Sequence, residues 1–182
     1  MGNVSFIDTR KSLLENKHVD LPELNISVLR NIVVEPFDIY LKYFMQEIGY
    51  RAEVEYGGYD QILQEVMQDH ETLFKKVDVV IVFLKLESLS WDISRNFPCL
   101  SREEVDQEVN RIESYVKNIL AGIRRQTTAM ILWHSFEIPV APAYGVIDSC
   151  KTWGQTSAVR LLNDKLLQCV SRVSSAYLVD LN

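Results

Sequence analysis

Histidine, cysteine, proline and glycine are all scarce in this 182-residue chain, at 3, 3, 5 and 7 residues, and each scarcity removes a class of chemistry. The histidines, His18, His70 and His134, lie at no metal-ligand spacing from one another. Cys99, Cys150 and Cys169 are odd in number and far apart, which fits reduced thiols better than a disulfide framework or a zinc site. No metal is expected. Neither G-x-G-x-x-G nor a P-loop is present, which excludes the usual nucleotide cradles. No apolar run approaches the roughly 20 residues that span a bilayer. The opening MGNVSFIDTRKSLLENK is too polar for a signal peptide, so a cytoplasmic location is expected. A net charge of -6, with acids and bases interspersed, offers no basic stripe to nucleic acid and no anchor to anionic lipid.

What is present is an ordinary globular composition, 47% hydrophobic and 24% charged, in a length suited to one domain. We place that domain at residues 25–182, with residues 1–24 an N-terminal extension packing on it. Five segments rich in β-branched residues read as strands: Ile26 to Val34, Arg51 to Tyr56, Val77 to Leu86, Thr128 to His134 and Ala176 to Leu181. Between them apolar residues recur at helical spacing. Pro36 suits the first turn of a helix that Gly49 stops, and Gly57-Gly58 turns into a short helix opened by Tyr59-Asp60-Gln61. Ser101 and Glu104 form a capping-box signature for a helix to about Arg125. A last helix spans about Thr156 to Val173. The stripe Val105, Val109, Ile112, Val116, Ile119 and Ile123 fits a long helix packed on a sheet, or a coiled-coil seam.

Strand and helix in alternation predict an α/β three-layer sandwich around a five-stranded, mainly parallel sheet of flavodoxin-like order. The third strand, VDVVIVFLKL, is apolar on both faces and belongs mid-sheet. Ligands of such sheets bind beyond the carboxyl ends of the strands. His134 ends the fourth strand there, as a general base or, the commoner use, a structural hydrogen-bonder. The segment from Pro139 to Ser157 is a long loop of the kind that forms lids, and it carries Ser149 and Cys150 as candidate nucleophiles. D-x-D after a first strand, the mark of a haloacid-dehalogenase-type phosphatase, is missing, as is a receiver domain's aspartate after the third.

The run Asn31-Ile32-Val33-Val34-Glu35-Pro36-Phe37, then Gly49-Tyr50 and Tyr59-Asp60-Gln61-Ile62-Leu63-Gln64-Glu65, resembles the N-terminal domain of FkbH-like proteins. So do Val77-Asp78-Val79-Val80-Ile81, Phe136-Glu137-Ile138-Pro139, Leu162-Asn163 and Val179-Asp180. The resemblance implies an SGNH-hydrolase-like fold that precedes a haloacid-dehalogenase-like domain. It also implies transfer of a glyceryl unit onto an acyl carrier protein in polyketide biosynthesis, with the phosphate chemistry in the second domain. None of that domain's motifs lies in this chain, which is expected to be an excised domain or a stand-alone relative.

Where an SGNH hydrolase has Gly-Asp-Ser, this sequence has Arg30-Asn31-Ile32, and an isoleucine has no lone pair with which to attack a carbonyl. The asparagine block after the third strand is replaced by Leu84-Lys85-Leu86-Glu87, so that oxyanion donor is missing too. Gly57 or Gly58 could supply a backbone N–H, and Asp180 stands near the end of the chain. Asn31, Glu35, Gly57, Gly58, His134, Glu137, Trp153 and Asn163 are the ligand-binding candidates. The commoner use of Asn163 would be to hold a loop backbone.

The main expectation is a non-hydrolytic module that recognises an acyl carrier protein or its glyceryl-phosphopantetheine arm, with Tyr144 and Trp153 closing over the arm. Its partner would be a haloacid-dehalogenase-like domain in cis or in trans, and no cofactor is expected. A docking patch would be locally basic, near Arg124 and Arg125 or near Lys151. The alternatives are an esterase or acyltransferase using Ser135, Ser149 or Cys150 with His134, and a homodimeric platform built on the 105 to 123 stripe.

Overall fold

The computed structural model describes residues 20–68 and 73–182, together with Ser5, Ile7, Thr9 and Leu13. Most of the expected N-terminal extension, and His18 and His70, lie outside the described residues. Alternation of β-branched runs with helical stripes produces strands β1 (Glu23–Arg30), β2 (Arg51–Tyr56), β3 (Val79–Phe83), β4 (Met130–His134) and β5 (Ala176–Val179). The helices are α1 (Glu35–Glu47), α2 (Ile62–Met67), α3 (Leu86–Leu89), α4 (Trp91–Arg95), α5 (Arg102–Gln126) and α6 (Gln155–Ser171). Short 3-10 turns cover Phe97–Cys99 and Gly145–Cys150. Every strand pairing is parallel, in the order β2-β1-β3-β4-β5. The fold is the expected three-layer sandwich of flavodoxin-like order, with β3 at its centre.

Each face of the sheet has its own core. On one face Leu29, Val80, Val82, Ile131 and Trp133 pack against α5 and α6; on the other Ile26, Val28 and Ala52 meet Val34 and Leu41 of the α1 segment. Ser101 and Glu104 cap α5 reciprocally, and Gly49, at φ 90°, ends the α1 region in a conformation other side chains rarely adopt. The α5 stripe from Val105 to Ile123 is at most 5% exposed and belongs to the core. That removes it as a dimerisation seam, because a surface already buried within the chain cannot face a second copy.

Three strands end earlier than their apolar runs suggest, β5 by two residues, at Val179 rather than Leu181. β1 stops at Arg30 rather than Val34, since Asn31 and Ile32 form a bend before α1. β3 stops at Phe83 rather than Leu86, and the chain turns into α3 and α4, which the sequence had not indicated. Helices of four and five residues are too short to show a period.

At Gly122, α5 and α2 come so close that an added Cβ would lie 2.7 Å from the Cβ of Val66 and 2.9 Å from its carbonyl oxygen. Gly122→Ala is therefore expected to destabilise the fold by about 1–3 kcal/mol through overpacking. An exposed helical site would instead gain up to roughly 1 kcal/mol from the same change. Urea unfolding reads the sign directly, and a raised midpoint would contradict the packing.

Candidate functional site

Beyond the carboxyl ends of β1, β3 and β4 the loops enclose an open crevice of about 430 Å³, a size suited to a small ligand or an extended arm. Ile32, Leu84, Leu86, Phe136 and Val159 supply its apolar wall, and Pro139, Val140 and Ala141 lie along one side. Its polar lining is Lys85, Glu87, Ser94, Arg95, His134, Glu137 and Gln155.

Four side chains, of which Asn31, Gln155 and Asp148 are buried and Asn163 half-buried, bolt the surrounding loops in place. The Oδ1 of Asn31 accepts from the Lys85 amide at 2.7 Å and its Nδ2 donates to the Lys85 carbonyl at 3.1 Å, joining the bend after β1 to the turn after β3. Asn163 on α6 makes the same double bond to the backbone of Phe136, at 2.7 and 2.8 Å. Gln155 accepts from Ala143 N and donates to the carbonyls of Ile93 and Ser94. Asp148, fully buried, accepts from the first amides of α6, Gln155 N at 3.1 Å and Thr156 N at 2.9 Å. Burial pushes its carboxyl up, but the hydrogen bonds from Thr156 and Gln155 outweigh that and hold it below the usual carboxylate range.

These bonds fix the roles of the residues the sequence singled out. His134 lines the crevice, yet its Nε2 accepts from Leu84 N at 3.2 Å while its Nδ1 lies 2.8 Å from the Ser135 carbonyl. A backbone N–H can only donate and a carbonyl only accept, so the ring proton sits on Nδ1 and both nitrogens are engaged. No lone pair is left to act as a base. Ser135, 1% exposed, donates its hydroxyl to Asp180 at 2.9 Å and accepts from Leu181 N and Asn182 Nδ2. Its donor and both acceptor sites are filled, which removes it as a nucleophile for a relocated mechanism. Those hydrogen bonds, from Asn182 N first and the Ser135 hydroxyl next, hold the Asp180 carboxyl below its ordinary range.

The amides of Gly57 and Gly58 are also occupied, by Val28 O at 2.9 Å and by Glu65 Oε1 at 2.9 Å. Neither can serve as an oxyanion donor. Glu35 pairs with Arg30 at 2.5 Å, which lowers its carboxyl, and it does not line the crevice. Trp153 packs edge-on against Tyr144, whose ring lies 3.8 Å below Lys151 Nζ. Neither aromatic ring lines the crevice, so the expected closure over it is not the arrangement seen. Ser149 and the exposed Cys150 end the 3-10 turn, also away from the crevice. Of the candidates, His134 and Glu137 are brought together in the lining, with Asn31 and Asn163 bonded to lining residues behind it.

Of the residues expected to form a basic patch, Arg124 is not free. Arg124 is committed to the carbonyls of Thr127, Ser174 and Ser175. With Arg125 it lies at the end of α5 that leads into β4, which is the edge of the sheet opposite the crevice. The crevice's own cations, Lys85 and Arg95, went unnoticed in the sequence, because Arg95 and the Glu87 between them meet only through the unforeseen turns α3 and α4.

Comparison with known proteins adds the fold and little else. No family model and no curated protein matches the sequence. Among solved structures, the crystal structure of the N-terminal part of the protein BF1531 from Bacteroides fragilis, containing a phosphatase domain and complexed with Mg, shares the fold at a TM-score of 0.76. The two are 15% identical, and the match covers 98% of this chain and 45% of that one. The described residues thus define an α/β sandwich with a crevice at the carboxyl end of its sheet, in which His134 and Ser135 are bonded within the fold. Its fold is shared with a protein of which this chain spans less than half.

Two substitutions test the bolts. Asn31→Ala strands the amide and carbonyl of Lys85 and is expected to cost roughly 2–4 kcal/mol, whereas a loss below about 0.5 kcal/mol in urea unfolding would place the clamp in solvent. Asp148→Ala should cost a similar roughly 2–4 kcal/mol at neutral pH. The folded carboxyl titrates below its unfolded value of about 3.9, so its stabilisation is present above about pH 4 and fades as pH falls through the folded value. The gap between variant and wild type should therefore narrow from pH 7 to pH 3. A gap that stays constant refutes the assignment.

Proposed function

We propose that this chain is a non-hydrolytic, SGNH-hydrolase-like recognition domain that works beside a phosphatase-like domain, in cis or in trans. In this reading it binds an acyl carrier protein through its glyceryl-phosphopantetheine arm. One observation carries the proposal: the crevice sits where flavodoxin-like sheets bind ligands, yet the groups singled out for acyl chemistry, His134, Ser135 and the amides of Gly57 and Gly58, are already bonded within the fold. Ile32 occupies the position of the resemblance's nucleophile and forms part of the wall. An apolar wall with polar groups at its rim suits an arm of alternating methylenes and amides.

The phosphatase association rests on two supports, the FkbH-like motifs in the sequence and a fold shared with a protein whose structure contains a phosphatase domain. Both chain and carrier are acidic in this reading. Attraction must then come from the arm and from local cations at the rim rather than from net charge.

The test is an amide NMR titration with the carrier in apo, pantetheinylated and glyceryl-loaded forms, alongside a thioester-cleavage assay. Arm-dependent shifts are expected at Ile32, Lys85, Arg95 and residues 137–141, with no turnover above background. Ile32→Glu should weaken arm-dependent binding by about tenfold or more, because it buries a charge against the arm. Turnover by wild type that is lost in Cys150→Ala would establish the relocated-nucleophile alternative instead, and absence of shifts with any carrier form would refute recognition.

A further inference from the structure

We propose that Lys85 and Arg95 form an anion subsite for a phosphoryl group at the rim of the crevice, and that Glu87 is its internal stand-in, displaced when the ligand binds. The inference deepens the arm-recognition reading and rests on it for the ligand's identity, though not for the chemistry of the subsite.

The two oxygens of the Glu87 carboxylate are divided between two cations. Oε1 accepts from Arg95 Nε at 2.8 Å, and Oε2 lies 3.2 Å from Lys85 Nζ. Lys85 stands just before α3 and Arg95 ends α4, so one oxyanion bridges two elements, and all three residues line the crevice. Donors remain in surplus. An ammonium carries three N–H groups and a guanidinium five, and this single carboxylate engages one of each. Beside Arg95, Ser94 also lines the crevice, and its hydroxyl is shut away from solvent with no hydrogen-bond partner. A carboxylate with two oxygens leaves this set unfilled. A phosphoryl group, with more charge and three acceptor oxygens, could engage both cations and the idle hydroxyl together.

Displacement is mechanically simple. Glu87 sits in a four-residue helix, and its side chain is already 28% exposed. It can swing into water without disturbing the core residues behind it. Glu137, exposed on the crevice lining, makes no hydrogen bond or ion pair with the described residues. Its free carboxylate repels an anion, which sets a polarity: the phosphoryl end at Lys85 and Arg95, the donor-bearing part of the ligand toward Glu137.

A stand-in makes a prediction that a purely structural ion pair does not, namely that removing it improves binding. Wild type, Glu87→Gln, Arg95→Gln, Lys85→Gln and Ser94→Ala would be titrated at low salt with inorganic phosphate, glycerol 3-phosphate, 4'-phosphopantetheine and pantetheine. Amide shifts would supply the readout, and thermal melts would confirm folding. Glu87→Gln is expected to tighten the phosphate-bearing probes by about tenfold, and Arg95→Gln to weaken them by about as much. Pantetheine, which lacks the phosphate, should respond to neither change. Lys85→Gln carries the same test if the Arg95 variant fails to fold.

Preference for 4'-phosphopantetheine would show that the pantetheine portion adds contacts to a monoester, and preference for glycerol 3-phosphate that a small free monoester fits better; both support the subsite. The carrier-bound arm, a diester with one charge and two unesterified oxygens, is read separately in the carrier titration. Unchanged or weaker binding in Glu87→Gln overturns it, as does failure of every phosphate probe with every variant. In that last case carrier-dependent shifts at 137–141 would leave the recognition reading standing. Probe binding as expected with no response to any carrier would do the reverse.

Discussion

The double hydrogen bond between the Asn31 side chain and the backbone of Lys85 is the constraint from which the rest of the site follows. A parallel sheet loses its ladder where neighbouring strands diverge, and the exposed amides there must find partners or pay a desolvation penalty. Asn31 solves this between β1 and β3, Asn163 does so after β4, and Gln155 and Asp148 do so for the 143–156 segment beside the crevice. Asn31 and Asn163 reach the same solution because a primary amide offers a donor and an acceptor side by side, which matches the N–H and C=O of one extended residue. A crevice framed by such clamps is preformed, so little ordering entropy remains to be lost when a ligand enters.

The clamps also occupy the groups an acyl-transfer site would use. An acyl-transfer site needs a hydroxyl or thiol with a free lone pair, a base with a free nitrogen and unengaged N–H donors for the oxyanion. Here the hydroxyl of Ser135, both nitrogens of His134 and the amides of Gly57 and Gly58 each hold another part of the structure. Rigidity of the frame and engagement of these groups are two consequences of one hydrogen-bonding arrangement.

The fold was legible in the sequence because it depends on apolar periodicity, which survives without knowledge of partners. β2 and α5 fall within a residue of where their patterns place them, and Pro36 and Gly49 mark the ends of the α1 region as their backbone geometry requires. The roles of polar residues were not legible in the same way. Asn31 and Asn163 show donor and acceptor capacity in any sequence, but whether they meet a ligand or a peptide unit depends on which backbone the fold brings within 3 Å. His134 illustrates the difference: its place at the crevice edge could be inferred, while its saturation required the positions of Leu84 N and Ser135 O. The ion triad of Lys85, Glu87 and Arg95 escaped notice for a further reason, since the turns that assemble it are shorter than any periodic signal.

Charge and apolar surface are divided within the crevice, with side chains such as Ile32, Leu84 and Phe136 in its wall and charge carried by long side chains that reach solvent. Lys85 and Arg95 are 48% and 59% exposed, so their fields are screened and they can guide or grip an anion without being buried beside a reacting carbonyl. A serine placed at Ile32 would find both His134 nitrogens and the Gly57 and Gly58 amides already bonded to the fold, so the clamps, rather than the residue at position 32 alone, set which groups face the crevice.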